Sequence, residues 1–186
     1  MKKIPSLFPI INNRHDTTKI REGTEWVLTG EGIARRKYDG TACMFENGKY
    51  YRRYQIKKGK VAPEGFKLAD VIDPNTGKQV GWVPVGEGPE SKWHREAILP
   101  TEDGTYELIG PKIENNHDNV DKYILMRHDT ATAYDDFPRD VSKMEKYIDD
   151  LGIEGVVIYG NDGKMVKVKS KDFKDDRRDL RTIFYR

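Results

Sequence analysis

Ala34-Arg35-Arg36-Lys37-Tyr38-Asp39-Gly40-Thr41 sets a single lysine, Lys37, in a Lys-x-Asp-Gly context between two runs that alternate as β-strands do. Residues 33–38 and 41–46 are the expected strands, with Asp39-Gly40 as the bend between them. Asn47-Gly48 follows at once and is a strong hairpin signal, so residues 49–57 should return antiparallel. On that returning strand Tyr50, Arg52 and Tyr54 share one face, and Tyr51, Arg53 and Gln55 share the other.

Upstream, residues 1–24 read as an irregular, partly apolar lead-in, and residues 25–28 as a short strand closed by Thr29-Gly30-Glu31-Gly32. Downstream, Ala62-Pro63-Glu64-Gly65, Asp73-Pro74-Asn75-Thr76-Gly77 and Gly86-Glu87-Gly88-Pro89 punctuate a long surface excursion with a short strand at 81–85. Loops this long tend to carry function, which marks residues 58–100 as a functional loop region. Further strands are expected at 105–113 and 122–128. Asp140 caps a helix whose apolar stripe is Val141, Met144, Ile148 and Leu151 and which stops at Gly152. Residues 153–159 and 164–170 form a second hairpin around Asn161-Asp162-Gly163. Residues 171–186 are a C-terminal tail that reads as a short helix packed back on the rest. The sum is one α+β domain spanning residues 1–186, mostly antiparallel.

A chain of 186 residues suffices for one well-buried domain and is short for two. Its 36% hydrophobic and 34% charged residues describe a globular protein with a modest core, not a disordered one. A net charge of +2 from 33 basic and 31 acidic side chains says little by itself. Basic residues do crowd locally, at Arg35-Arg36-Lys37, at Arg52-Arg53, at Lys57, Lys58 and Lys60, and along Lys164, Lys167, Lys169 and Lys171. Such clusters either meet phosphates or are solvated strand faces. Cys43 is the single cysteine, so an internal disulfide and a cysteine-based zinc site are excluded, and a reducing compartment fits. The histidines show no metal-ligand spacing. Met1-Lys2-Lys3 followed by Ile4-Pro5-Ser6-Leu7-Phe8-Pro9-Ile10-Ile11 mimics a signal peptide, but the apolar run is short, broken by prolines and without a cleavage site. No run approaches the length of a membrane span. A cytoplasmic protein without membrane or obligate protein partners, and monomeric, is expected.

Lys-x-Asp-Gly alone is weak. What strengthens it is the ordered set that follows. A basic strand carries Arg52 and Arg53. Glu107 lies in Tyr106-Glu107-Leu108-Ile109-Gly110, and Glu154 in Ile153-Glu154-Gly155-Val156-Val157-Ile158. Lys167-Val168-Lys169 puts two lysines on one strand face. This set resembles the covalent nucleotidyltransferase superfamily of ATP-dependent ligases and capping enzymes. With Lys37-Tyr38-Asp39-Gly40-Thr41, Gly81-Trp82-Val83-Pro84-Val85, Trp93-His94 and the strand ending at His128, residues 30–173 are similar to the small ATP-dependent 5′–3′ RNA ligase family. That family includes a vertebrate RNA ligase and phage and bacterial relatives.

The resemblance implies a nucleotidyltransferase (adenylation) domain. Only 17 residues follow Lys169, too few for the OB-fold that DNA ligases and capping enzymes carry after this core. It implies that Lys37 is the nucleophile that takes AMP from ATP, with Lys167 and Lys169 on the α-phosphate. Arg36, Asp39 and Gly40 flank the nucleotide, and Glu107 bonds the ribose. Glu154 helps hold Mg²⁺ or Mn²⁺. Arg52 or Arg53, with Arg53 preferred, grips a phosphate. The cofactors implied are ATP, with AMP covalently attached, and the metal; the partner is RNA ends, in a host cytoplasm if the chain is phage-encoded.

The chemistry explains those residue types. A lysine amine must be neutral to attack phosphorus, against a free pKa near about 10.4. Nucleotidyl transfer then demands charge neutralisation more than acid–base work, hence lysines and a divalent cation. The alternatives are a DNA ligase or guanylyltransferase, a nucleic-acid-binding module that has lost catalysis, and an enzyme passing AMP to protein. Among single residues, Asp39 either fixes the bend or acts directly. Cys43 reads as a buried structural thiol, Trp82 and Trp93 as core or loop anchors, and His128 as a hydrogen-bonded core or rim histidine. Tyr123 is a candidate to stack on adenine.

Overall fold

The computed structural model describes residues 2–72 and 77–174. Its strands are β1 (Ile10–Ile11), β2 (Arg14–His15), β3 (Ile33–Lys37), β4 (Thr41–Glu46), β5 (Lys49–Ile56), β6 (Lys67–Leu68), β7 (Gln79–Pro84), β8 (Gly104–Ile109), β9 (Ile124–Arg127), β10 (Ala133–Tyr134), β11 (Gly155–Tyr159) and β12 (Met165–Lys169). The helices are α1 (Lys92–Arg95) and α2 (Val141–Asp150), with short 3-10 turns at Glu25–Val27, Pro89–Ser91 and Glu114–Asn116. The protein is α+β, rich in antiparallel sheet and poor in helix. Its contacts form two compact units: a first of Tyr38–Thr130 with the residues through Lys3, and a second of Ile4–Lys37 with the chain from Ala131 on.

The first unit is a six-stranded antiparallel sheet in the order β6-β7-β5-β4-β8-β9. Its central turn is the Asn47-Gly48 pair, both at positive φ, 51° and 71°, as a two-residue hairpin loop needs. Cys43 lies opposite Arg52 on β5 and Tyr106 on β8, which aims Cys43 and Tyr106 at one face. On that face Cys43, Tyr106 and Leu108 make a core with Ala97 and Ile113, against which Phe45, Tyr50 and Trp93 pack. The strand expected at 105–113 stops at Ile109. A Cβ on Gly110 would stand 2.2 Å from the Tyr123 ring, and Ile113 bonds back to the Gly110 carbonyl, so the chain turns there.

The second unit is a four-stranded antiparallel sheet, β10-β3-β11-β12, covered by α2. Asp140 caps α2 by accepting from the Ser142 amide at 3.0 Å, and Gly152, at φ 61°, ends it in the left-handed region. Met144 and Ile148 on the inner stripe are fully buried with Val156, Ile158, Val166 and Val168; Leu151 at the helix end is 45% exposed.

Two expectations change here. Residues 25–28 are not a strand: Glu25–Val27 is a 3-10 turn. Trp26, Val27 and Leu28 all pack on one core, which successive residues of an alternating strand cannot do. The Arg139 guanidinium takes the carbonyl of Val27, which a strand would have paired in a ladder, together with those of Glu31 and Gly32 in the turn that follows. Nor are residues 1–24 irregular throughout. Leu7 and Phe8 are fully buried, and the chain runs beside β12, with the Leu7 amide on the Lys167 carbonyl at 3.0 Å and the Lys167 amide on the Pro5 carbonyl at 2.9 Å. Asn12 and Asn13, at φ 51° and 63°, turn β1 into β2. Of the expected C-terminal tail, residues 171–174 are helical, in a turn that already begins at Ser170, where the expected strand 164–170 has ended, and Phe173 meets Phe8 edge-on at 5.2 Å. The remainder, 175–186, lies outside the described residues. Among the described residues no helix is long and apolar enough to cross a membrane.

Candidate active site

In the second unit β11 runs between β3 and β12, and its first residue, Gly155, lies opposite Lys37 on one side and Lys169 on the other. Two positions along, Val157 lies opposite Arg35 and Lys167. Strand alternation therefore puts Lys37, Lys169, Arg35 and Lys167 on one sheet face. The opposite face carries Ala34, Val156, Val166 and Val168 into the core, and Arg36 shares that face, not the face of Lys37. Glu154, one residue before β11, makes an ion pair and hydrogen bond with the Lys37 ammonium. Both side chains are mostly buried, 23% and 13% exposed, so the pair is short of water to screen it.

Gly155 is what makes the row possible. A Cβ there would lie 2.2 Å from the Val168 carbonyl oxygen and 2.8 Å from the Lys169 Cα, backbone atoms that cannot turn aside. Gly155→Ala is expected to pry β11 from β12, lowering stability by about 3 kcal/mol in urea unfolding. A variant with unchanged midpoint would show that β12 gives way freely.

Lys169 is 8% exposed, and its pKa falls from the ordinary 10.5 to about 8. Burial is the main cause and the Lys171 side chain the next, with Asp172 and Glu154 opposing. Asp172, fully buried, fixes the turn after β12: its Oδ2 accepts from the Lys169 amide at 3.1 Å and from Ser6 Oγ at 3.2 Å, and its Oδ1 faces His15 Nδ1 at 3.3 Å.

The first unit holds the other residues singled out in the sequence. Arg53 lies opposite Trp82, and Ala42 opposite Glu107, so Arg53 and Glu107 share a face with only the small Ala42 on the strand between them. Arg52 points to the other face. The Arg53 guanidinium sits over the Trp82 ring at 4.7 Å, and burial lowers its pKa against the pull of Asp70 and Glu107. It lines a cavity of about 730 Å³ with Lys3, Lys78 and Asp70, three cations to one carboxylate. Glu107 is held by His128, whose Nε2 is 3.0 Å from Oε2 while Nδ1 is 3.0 Å from Thr105 Oγ1. The histidine thus fixes the carboxylate's orientation. Gly40 packs against β8, where a Cβ would stand 2.2 Å from the Leu108 carbonyl oxygen and 3.0 Å from Glu107 Cγ. The Asp39 amide donates to Asp118 at 3.1 Å, so the bend after Lys37 is pinned by a residue the sequence did not single out.

The remaining candidates have structural settings. Cys43 is buried, with its pKa pushed up to about 12 mainly by desolvation, which keeps the thiol protonated and inert. Trp82 is buried, and Trp93 stacks on Tyr123 at 5.2 Å, which engages that tyrosine's ring with protein. Among the described residues no three His, Cys, Asp or Glu side chains gather as a metal-holding group. A magnesium ion needs fewer from the protein, since one or two carboxylates and phosphate oxygens usually hold it, and Glu154 fits that part. Compared with family models and with curated proteins, the chain matches none.

Proposed function

We infer that this chain is an ATP-dependent RNA ligase of the covalent lysine-nucleotidyltransferase type, the activity and fold its motifs resemble. One observation carries the reading: Lys37 and Lys169 flank a glycine across three strands, with Glu154 already on the Lys37 ammonium. With only a glycine between them, the two amines share the sheet face turned from the hydrophobic core, and a phosphate can meet both there. Two cations on either side would neutralise it.

In the first step the Lys37 Nζ lone pair attacks the α-phosphorus, a P–N bond forms, and pyrophosphate leaves. The ammonium must first release its proton to solvent, which the cations Lys167 and Lys169 on the same face favour, while its ion pair with Glu154 has to be broken. Lys169, and Lys167 on the same face, then balance charge on the α-phosphate. Glu154 would also hold Mg²⁺ or Mn²⁺, which supplies further neutralisation of the phosphates. Within the first unit, His128 orients Glu107, to which the resemblance gives a ribose contact, and Arg53, to which it gives a phosphate contact, lines a cavity with Lys3 and Lys78. Later steps pass AMP to an RNA 5′-phosphate, and a 3′-hydroxyl displaces it.

The test is covalent labelling. Purified protein freed of bound AMP is incubated with Mg²⁺ and α-labelled ATP or GTP, run on denaturing gels, and then chased with RNA carrying 5′-phosphate and 3′-hydroxyl ends. An ATP-specific, pyrophosphate-reversible label that ends in joined RNA is expected. Label from GTP would move the reading to capping chemistry, and folded protein that takes no label would overturn it in favour of a binding module.

A further inference from the structure

The face of β5 turned away from Arg53 carries a second cavity, about 540 Å³, whose walls include Arg52, Tyr54, Pro63, Pro84, Glu64 and Glu90. Its composition is unlike that of the cation-lined cavity on the other face. One guanidinium is set beside two carboxylates, so a phosphate would be repelled rather than held. The occupant must instead offer both hydrogen-bond acceptors and donors. Arg52 supplies the donors. Its guanidinium lies over the Tyr54 ring at 5.4 Å, its contact with Glu90 is a long 3.5 Å, and its Nε is buried with no hydrogen-bond partner. That Nε is sealed from the cavity, so the terminal guanidinium nitrogens are the donors a ligand acceptor would meet. Nearby, His94 is pressed toward neutrality, its pKa lowered to about 4 by burial and then by Arg52, so it adds no competing charge. The flat surfaces of Tyr54, Pro63 and Pro84 suit a flat, weakly solvated ring.

We propose that this cavity is a single-stranded nucleobase site that selects guanine. Guanine presents O6 and N7 as adjacent acceptors, which a guanidinium meets, and N1–H and N2–H as adjacent donors, which a carboxylate meets. Arg52 takes the first pair and Glu90 the second; adenine, cytosine and uracil each mismatch one of the two groups. The choice of RNA as the ligand rests on the ligase reading above, and it gives that reading a base preference near the joined end.

The experiment is fluorescence anisotropy with labelled ribohexamers UUGUUU, UUAUUU, UUCUUU and UUUUUU, equal in length and charge, on the full chain at fixed salt. The guanine hexamer is expected to bind about tenfold tighter than the others. Glu90→Ala, a change at a side chain 53% exposed, should reduce that preference to within about twofold, and Arg52→Gln should do the same. Equal affinities in the parent, or a preference that survives Glu90→Ala, would overturn the site, as would displacement of all four hexamers alike by a proline-rich basic peptide. Labelling with ATP on the same preparation separates the two failures. Protein that takes AMP but ignores base identity loses the guanine site alone, whereas protein that prefers guanine but takes no AMP keeps the site and loses the ligase reading.

Discussion

Lys37→Arg folds as the parent does and forms no covalent nucleotide. Arginine at the end of β3 keeps a cation beside Glu154, so the mostly buried carboxylate is not left unpaired, a loss that would otherwise be strongly destabilising. The guanidinium cannot act as the amine does. It stays protonated at any accessible pH and has no lone pair to offer phosphorus. Labelling should therefore fall by roughly a thousandfold or more while the urea midpoint moves little. This variant separates two roles that Lys37→Ala would confuse, since alanine removes nucleophile and ion-pair partner together. Label retained by Lys37→Arg would place the nucleophile elsewhere, and the lysine row would then be a binding surface.

Lys169→Met is expected to make the protein more stable and less active. At pH 7 the Lys169 side chain is an ammonium in a site that burial disfavours, with its pKa lowered to about 8 from 10.5. The sign follows from linkage. Below pH 8 the folded chain must carry a charge that the unfolded chain hydrates fully, and folding is opposed. Between about 8 and 10.5 the unfolded chain binds more protons than the folded one, so the parent's stability rises with pH and the opposition fades. Methionine fills similar space without the charge. The gain should be about 2 kcal/mol at pH 7 and shrink toward pH 10, read as the difference between parent and variant urea midpoints. On the proposed ligase reading, nucleotide labelling should drop by roughly a hundredfold, because the amine proposed to balance the α-phosphate is gone. A stability difference flat across pH would remove the case for a strained cation. Full labelling by the variant would remove its role in the reaction.

The strands around Lys37 were legible because their signals are local. Alternation, an Asn-Gly turn and a bend at Asp39-Gly40 specify β3, β4 and β5 to within a residue at their ends. The helix capped by Asp140 was legible for the same reason. What escaped the sequence was set by tertiary partners. Trp26-Val27-Leu28 has strand-forming residues, yet Arg139, more than a hundred residues on, claims the Val27 carbonyl and the core takes the consecutive side chains. The burial of Leu7 and Phe8 depends on β12, which no local pattern near the N-terminus reveals. The Asn12-Asn13 turn did carry a readable signal in two residues that tolerate positive φ. In the candidate site, residue types could be picked from their order along the chain, but register could not. That Gly155 stands between Lys37 and Lys169, that Arg53 rather than Arg52 shares a face with Glu107, and that Arg36 turns to the core side all follow from strand pairing.

The central claim is that Lys37 carries the nucleotide, and mass spectrometry reads it directly. The full chain is incubated with ATP and Mg²⁺, its intact mass measured, and its peptides mapped. The account predicts a gain of one adenylyl group, on the peptide containing Lys37 and on Nζ of that residue, reversed by pyrophosphate and absent with ATP omitted. An unmodified Lys37 in folded, nucleotide-free protein, or an adenylyl group found on Lys167 or Lys169 instead, would contradict it.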